Sequence, residues 1–547
     1  MSISPVFRTL SGLRVSHLSF SYPGADPLFE DISFSLPRGW TALVGDNGLG
    51  KTTLMNLLVG ALKPQQGTIS PAPEQLVSAT CAQNNTVIPD NLEEFGADWS
   101  RSALNLRDLL GIGDDWAYRW AELSGGQRKR LQIVTTLAKN ADLVIIDEPT
   151  NHVDEETKAQ IITALQQQRD VVGLIISHDR DFVDALADNT LIMTREHVSA
   201  GAGSLGRGSQ RRAVLGRALP GHNVTVIRHY ACNFSEAQAQ LRGQQLSNAG
   251  KLDQAQAQLK RLENLKRDRQ AQVAKIEKVK ASGSRIDRHD HDAIRRLQTA
   301  KMMGADAWAS AGAHQVDAKL QAAQQALSQV SVAAKRYDAQ LEALMCSIEP
   351  SSRAVVASVE RDFLGDVFLG DVDQGSAATK QAKLTVGAQE HIGIIGRNGA
   401  GKTTLLEQMN AAISSGISAY YLPQEISEEE SQKSVNTVLD LPAELKSQVL
   451  TAVASLNADP DKLLTGKAPS QGEVRKLLLC MALVCDRPQL ILLDEPTNHL
   501  DISSTEALEQ ALAAYRGALV VVSHDHRFLR ACTTTTWTVR DGQVDVQ

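Results

Sequence analysis

Short apolar runs recur along the chain, each bounded by turn residues and several followed at once by a helical pattern. TALV (41–44) precedes LMNLLVGAL (54–62), and HIGII (391–395) precedes LLEQMNAAI (405–413). LVIID (143–147), LILLD (490–494), VVGLII (171–176) and ALVVV (518–522) are further runs of strand length, and they predict buried strands of an α/β fold. The middle of the chain has another rhythm. Residues 235–345 contain no proline, and Val316, Leu320, Ala323, Leu327, Val330, Ala334, Tyr337, Leu341 and Leu344 step alternately by four and three. That is a heptad seam, which needs an apolar partner helix. Leu252, Ala255, Leu259, Leu262, Val273 and Ile276 offer a looser one. Between them ASGSRIDRHDHD (281–292) interrupts the pattern, so the spacing predicts a long antiparallel helical hairpin with its tip there.

Landmarks on either side of this segment occur twice and in the same order. GDNGLGKTT (45–53) returns as GRNGAGKTT (396–404), Asp147 as Asp494, and His178 as His524, at offsets of 351, 347 and 346 residues. Offsets this steady mean a duplicated domain. The predicted division is residues 1–200, a flexible loop plus helical linker at 201–350 that opens on the Gly-rich SAGAGSLGRGSQ (199–210), and residues 351–547.

Composition narrows the class. The chain is 42% hydrophobic and 22% charged, as soluble globular proteins are. Its longest apolar runs fall well short of the ~20 residues of a membrane helix, and the N-terminus shows no secretory signal. Six cysteines lie without CxxC spacing, which argues against zinc or iron–sulfur sites and fits a reducing, cytoplasmic setting. Charge is unevenly divided. Residues 223–345 hold 19 Lys+Arg against 12 Asp+Glu, a net of +7, so the remainder of a chain of net −7 carries −14. A basic hairpin on an acidic body points to nucleic acid at the hairpin, and solvated coil faces explain the same charge equally well.

Both glycine-rich stretches satisfy G-x-x-x-x-G-K-[ST] between a strand and a helix. Gly45, Asn47, Gly48 and Gly50, with Gly396, Asn398, Gly399 and Gly401, form loops whose backbone N–H groups can wrap phosphates. Lys51 and Lys402 would reach the β- and γ-phosphates of ATP. Thr52 and Thr403, next to Thr53 and Thr404, would ligate Mg2+. Asp147 and Asp494, at strand ends, would hold the same metal, while Glu148 and Glu495 polarise the attacking water. His178 and His524, each in an SHD triplet, are candidate γ-phosphate sensors.

With these residues in place, the chain resembles twin ATP-binding cassettes of the ABC superfamily. LSGGQ (123–127) is that family's signature, which completes the ATP site of the opposite cassette. The resemblance implies that Ser124 and Gly126 contact the ATP held by Lys402, and that Ser470 and Gly472 contact the ATP held by Lys51. It implies that Gln83 and Gln424 sense Mg2+ and water, and that Tyr22 stacks on adenine. The second cassette has no clear equivalent of Tyr22; Phe363 and Phe368 are only candidates, with core packing an equally good reading.

Each cassette is complete before the hairpin begins, unlike the split heads of chromosome-maintenance ATPases. The N-terminal cysteine-rich domain of ribosome-recycling ABC proteins is missing. The chain is similar to the ABC-F family of translation factors, in which a helical hairpin joins two cassettes. Both DEPTNH(V/L)D motifs, the segment HYACNFSEAQ (229–238) and the second signature PSQGE (469–473) carry that resemblance. Pro469 replaces the usual Leu and suits the first turn of the following helix. Family behaviour implies a monomer that binds the ribosomal exit site with ATP. Its hairpin would reach toward rRNA and the peptidyl-site tRNA, and neither DNA nor membrane is an expected partner. Lys260, Arg261, Lys266, Arg267, Arg285, Arg288, Arg295 and Arg296 would meet phosphates there. Such a protein tunes translation or protects it from antibiotics. The alternative is the ATP-binding subunit of a transporter whose membrane partner is a separate chain. RHDHD (288–292) reads either as a solvated loop or, less readily, as a metal site.

Overall fold

The structure is a computed structural model that describes residues 10–151, 153–198, 222–282, 338–360, 383–458, 469–540 and 543–546, with single positions at 291, 292, 295, 319, 460 and 463. The chain divides into two compact units, one of residues 1–194, 225–237 and 336–547, the other of 195–224 and 238–335.

The first unit holds both cassettes. In the first, β1 (Gly12–Phe20) and β2 (Phe29–Pro37) form an antiparallel pair, followed by β3 (Gly39–Gly45), α1 (Lys51–Leu58), β4 (Gln66–Ser70) and β5 (Ser78–Cys81). A helical lobe of α2 (Leu92–Ala97), α3 (Arg101–Leu110) and α4 (Gly125–Ala138) comes next. Then follow β6 (Leu143–Asp147), α5 (Glu155–Gln166), β7 (Val172–Ile176), α6 (Arg180–Leu186), β8 (Asn189–Val198) and β9 (His222–Tyr230). The nine strands make one sheet in the order β4-β1-β2-β9-β8-β3-β7-β6-β5. Strands β5, β6, β7, β3 and β8 pair in parallel. Helices cover both faces of that portion, which is why every residue of β6 and β7 is buried and neither strand alternates.

The linker helix α7 (Phe234–Ser282) is 49 residues long, carries ten Lys and Arg against five Asp and Glu, and exposes Lys260, Arg261 and Arg267. It covers the stretch read from the sequence as the outgoing arm of the hairpin. Arg285 and Arg288 at the tip, Arg296, and the seam from Val316 to Tyr337 lie outside the described residues, as do Phe363 and Phe368. Leu341 and Leu344 correct the sequence reading. They sit on α8 (Asp338–Cys346), where Leu341 is buried and Leu344 half-buried in the core of the second cassette rather than along a hairpin seam.

The second cassette opens with β10 (Val355–Glu360) paired antiparallel to β11 (Lys383–Gly387). It continues with β12 (His391–Gly396), α9 (Lys402–Ala411), β13 (Ala419–Leu422) and a lobe of α10 (Glu428–Asp440), α11 (Ala443–Ser455) and α12 (Gln471–Met481). The remaining elements are β14 (Leu490–Asp494), α13 (Ile502–Ala513), β15 (Ala518–Val522), α14 (His526–Cys532), β16 (Thr535–Arg540) and β17 (Gln543–Val546). Its main sheet runs β13-β14-β15-β12-β16-β17, the order that β5-β6-β7-β3-β8-β9 follows in the first cassette. Among the described residues no helix is long and apolar enough to cross a membrane.

Candidate functional site: two nucleotide sites built across the cassettes

Each phosphate loop turns through glycines that no other residue replaces cheaply. Gly50 and Gly401 both sit at φ 95°, in the left-handed region, immediately before the first helical residue. A side chain on Gly50 would also meet Leu28 at 2.8 Å. The helix N-termini of α1 and α9 therefore lie open to an anion. Lys51 Nζ donates to the Gly45 carbonyl at 2.6 Å, and Lys402 Nζ to that of Gly396 at 2.7 Å. Both ammonium groups are pulled below the ordinary lysine range by burial, against the attraction of the carboxylates facing them. Tyr22 is exposed, with its hydroxyl 3.0 Å from Thr53 Oγ1 and its ring edge-on to Phe20 at 5.1 Å. It stands at the lip of the first loop, where a stacking aromatic is expected.

Strands β6 and β14 end in Asp147 and Asp494, and the chain then kinks. Glu148 and Glu495 adopt φ 46° and 47°, a left-handed conformation that costs a side-chain-bearing residue about 1–2 kcal/mol. In each case the amide is held by the neighbouring strand, Glu148 donating to Ile176 O at 2.8 Å and Glu495 to Val522 O at 2.9 Å. Burial pushes both glutamates up to about 8. One carboxylate oxygen of each, Oε1, is buried with no hydrogen bond. An orphaned carboxylate acceptor can take a hydrogen bond from a water molecule. His178 and His524 lie against these groups. Their Nε2 atoms are 3.2 Å from Lys51 Nζ and 3.3 Å from Lys402 Nζ, and 3.4 Å and 3.5 Å from the orphaned oxygens. Burial first, then the adjacent lysine, holds His178 down to about 3 and His524 to about 4. Both rings are therefore neutral at pH 7.

The oxygen donors assembled here suit a hard divalent cation. Thr403 donates to Asp494 Oδ2 at 2.7 Å, so a hydroxyl and a carboxylate already converge beside the loop lysine. Burial raises the carboxyls of Asp147 and Asp494, a cost that a bound cation would relieve. Gln83 and Gln424 follow β5 and β13 and expose their side chains toward solvent.

The signatures are helix caps. Ser124 accepts from Gln127 N at 3.3 Å while the Gln127 side chain accepts from Ser124 N at 2.9 Å. Ser470 and Glu473 repeat this reciprocal pairing at 3.3 and 2.8 Å, so the glutamate of PSQGE performs the task of the glutamine of LSGGQ. Pro469 does not start the helix as its sequence position suggested. It precedes the cap residue Ser470, because the serine's interaction with the Glu473 amide fixes the first turn one residue later.

The two cassettes touch directly. A cavity of about 470 Å3 is lined by Ser124, Gly126 and Gln127 of the first signature, by Asp154, and by Asn398 and Glu425 of the second cassette. This brings Ser124 and Gly126 next to the loop that carries Lys402. On the other side Asp501 Oδ2 accepts from Asn47 N at 3.1 Å, and Asn47 Nδ2 donates to the His499 carbonyl at 3.2 Å. Ion pairs add to the contact: Arg397 with Glu156 at 2.7 Å, Arg180 with Glu509 and Asp525, and Arg527 with Asp181 and Asp184. Sequence reasoning missed Asp154, Asp501 and these arginines, though Asp154 and Asp501 close motifs recognisable as repeats. It also missed Lys129 and Arg475, buried cations five residues after Ser124 and Ser470. A basic residue at one offset in both copies was the available signal.

The profile of the family described as "ABC transporter" matches residues 29–151 and 379–498. The "Ribosome protection protein VmlR" of Bacillus subtilis (strain 168) is 26% identical over 548 residues, covering 95% of this chain and 85% of that protein. The "ABC transporter F family member 5" of Arabidopsis thaliana is 26% identical over 605 residues, with 97% and 75% covered. The solved structure titled "RNase-L Inhibitor" superposes with a TM-score of 0.52 at 15% identity, covering 97% of this chain and 90% of its own, a likeness of fold. Two segments of one polypeptide match this profile, which supports ATP binding and ATPase activity in a tandem-cassette arrangement. Within that class, the chain is similar to members of the ABC-F family along nearly its whole length.

Proposed function

We propose that this protein is an ATP-driven factor of the ribosome: it binds two ATP molecules between its cassettes, closes on them, and opens on hydrolysis to ADP and phosphate. One observation carries the ribosomal part of the reading. A 49-residue helix with an excess of basic residues is inserted between two intact cassettes, in a chain whose remainder is acidic. The relative named for ribosome protection aligns across 95% of the chain, insert included. The domain division at about 200 and 350 is part of the same proposal.

At the first site Lys51 and the loop N–H groups bind the phosphates, and Tyr22 meets the adenine. Ser470 and Gly472 close from the other cassette. At the second site Lys402, Ser124 and Gly126 do the same. Thr52, Gln83 and Asp147, and Thr403, Gln424 and Asp494, would hold Mg2+, which neutralises charge on the β- and γ-phosphate oxygens. Glu148 and Glu495 orient and deprotonate water, a task suited to carboxyls titrating near 8. Neutral His178 and His524 offer a nitrogen to the γ-phosphate side without adding charge.

The test uses Glu148→Gln with Glu495→Gln, which removes the proton acceptor and preserves binding. The doubly substituted protein should co-sediment with ribosomes on a gradient in ATP and not in ADP. Sedimentation with membranes would favour the transporter-subunit reading. A protein that stays free in both nucleotides would sink the ribosomal assignment.

A further inference from the structure

We infer that Lys129 and Arg475 are positioning residues that couple the two ATP sites, each transmitting the seating of one signature to the hydrolytic machinery of the other site. The inference rests on the ATPase reading above and on the site residues proposed there.

Both cations are almost wholly removed from solvent, at 1% and 2% exposure. A buried lysine or arginine needs several acceptors to offset its lost hydration. Lys129 Nζ donates to three backbone carbonyls: Ala82 at 2.7 Å, Asp147 at 3.0 Å and Gln83 at 3.4 Å. Arg475 makes a similar three-way clasp in the second cassette, one residue further along at the strand end. Its Nη1 donates to the Glu495 carbonyl at 3.0 Å, and its Nη2 donates to the carbonyls of Pro423, at 3.4 Å, and Gln424. Neither cation uses a carboxylate side chain for these bonds. They act on main chain alone, at two specific places: the segment carrying Gln83 or Gln424, and the strand end carrying the paired carboxylates.

The third link is the helix from which each cation projects. Lys129 lies on α4, about one and a half turns from Ser124, and Arg475 lies equally far from Ser470 on α12. Ser124 lines the cavity shared with the loop of Lys402. One rigid helix thus presents its cap to the nucleotide of one site and its buried cation to the backbone that carries the glutamine and carboxylates of the other. A tilt of α4 when Ser124 meets a phosphate must move Lys129, and with it the backbone of Gln83 and Asp147. The two copies reach a similar clasp with chemically different cations, which indicates that the clasp and not the residue type is the common element.

The test isolates one site at a time. In a Glu495→Gln background only the first site turns over, with ATP retained at the second. Adding Lys129→Gln should lower kcat there about tenfold, a loss confined to the catalytic step, with ATP affinity within about twofold. Lys129→Arg should stay within about threefold of the parent. Amide exchange at residues 82–85 should quicken in Lys129→Gln and not in Lys129→Arg. The mirror experiment, Arg475→Gln against Arg475→Lys in a Glu148→Gln background, supplies a second reading if Lys129→Gln melts early. Unchanged kcat in both Gln variants, or an arginine as damaging as glutamine at position 129, would overturn the coupling. Affinity falling in step with kcat would overturn it too. Absence of ATP hydrolysis in the unsubstituted protein would instead refute the ATPase reading.

Discussion

Glu148 and Glu495 sit in surroundings far from those of a free side chain. Folding raises their carboxyls from 4.5 to about 8 by burial. Below pH 4.5 both the folded and unfolded forms are protonated, and no penalty exists. Between 4.5 and 8 the unfolded chain ionises while the folded one holds its protons, so stability falls as pH rises. A glutamine at either position does not titrate. The protein carrying Glu148→Gln and Glu495→Gln should therefore melt at about the wild-type temperature near pH 4.5, and several degrees above it at about pH 8 without nucleotide. A constant difference across that range would contradict the burial of these carboxyls. Glu473 offers a second case. Glu473→Ala should lose about 1 kcal/mol of cap stabilisation and speed amide exchange in the first turn of α12, whereas Glu473→Gln, copying Gln127, should not. At this scale most of the site was legible. Lys51, Thr403 and Ser470 sit in motifs whose spacing the backbone geometry demands. Lys129 was not, because a lysine within a helix reads as solvated until its burial is known.

Secondary structure was legible wherever burial on both faces leaves a continuous apolar run, as in β6, β7, β14 and β15. Strand β9, HNVTVIRHY, alternates polar and apolar positions next to a Gly-rich segment and carried no comparable signal. The helical spacing of Leu341 and Leu344 is present on α8, yet periodicity does not name the partner, and the core of the second cassette supplied it. Contacts between elements of the two cassettes are likewise invisible in one sequence. Arg180 of α6 pairs with Glu509 of α13 and with Asp525 at 3.2 Å, largely out of water. Arg180→Met alone leaves Glu509 buried without its cation. The double change with Glu509→Gln should therefore be milder than the sum of the single ones, by about 1–3 kcal/mol in a melting-based cycle. Additive effects would mean that α6 and α13 do not meet in solution.

At the scale of the molecule, an acidic pair of cassettes carries a basic insert, and the proposed ribosomal binding should weaken steeply with salt. Replacing Lys260, Arg261 and Arg267 of α7 by glutamine should lower affinity for ribosomes and flatten that salt dependence, while ATP turnover of the free protein stays within about twofold. Unaltered affinity would remove α7 from the interface. The order of strands in the first cassette has a separate consequence, for biosynthesis. Strand β9 lies between β2 and β8, yet it is encoded after residues 199–221. A growing chain therefore emerges with a slot in its first sheet, and two unsatisfied strand edges face that slot until residue 230 has been made. Translation that pauses before that point would leave those edges open to chaperones or to other nascent chains, so the pace of elongation across the Gly-rich stretch governs how long the young protein is exposed to mispairing.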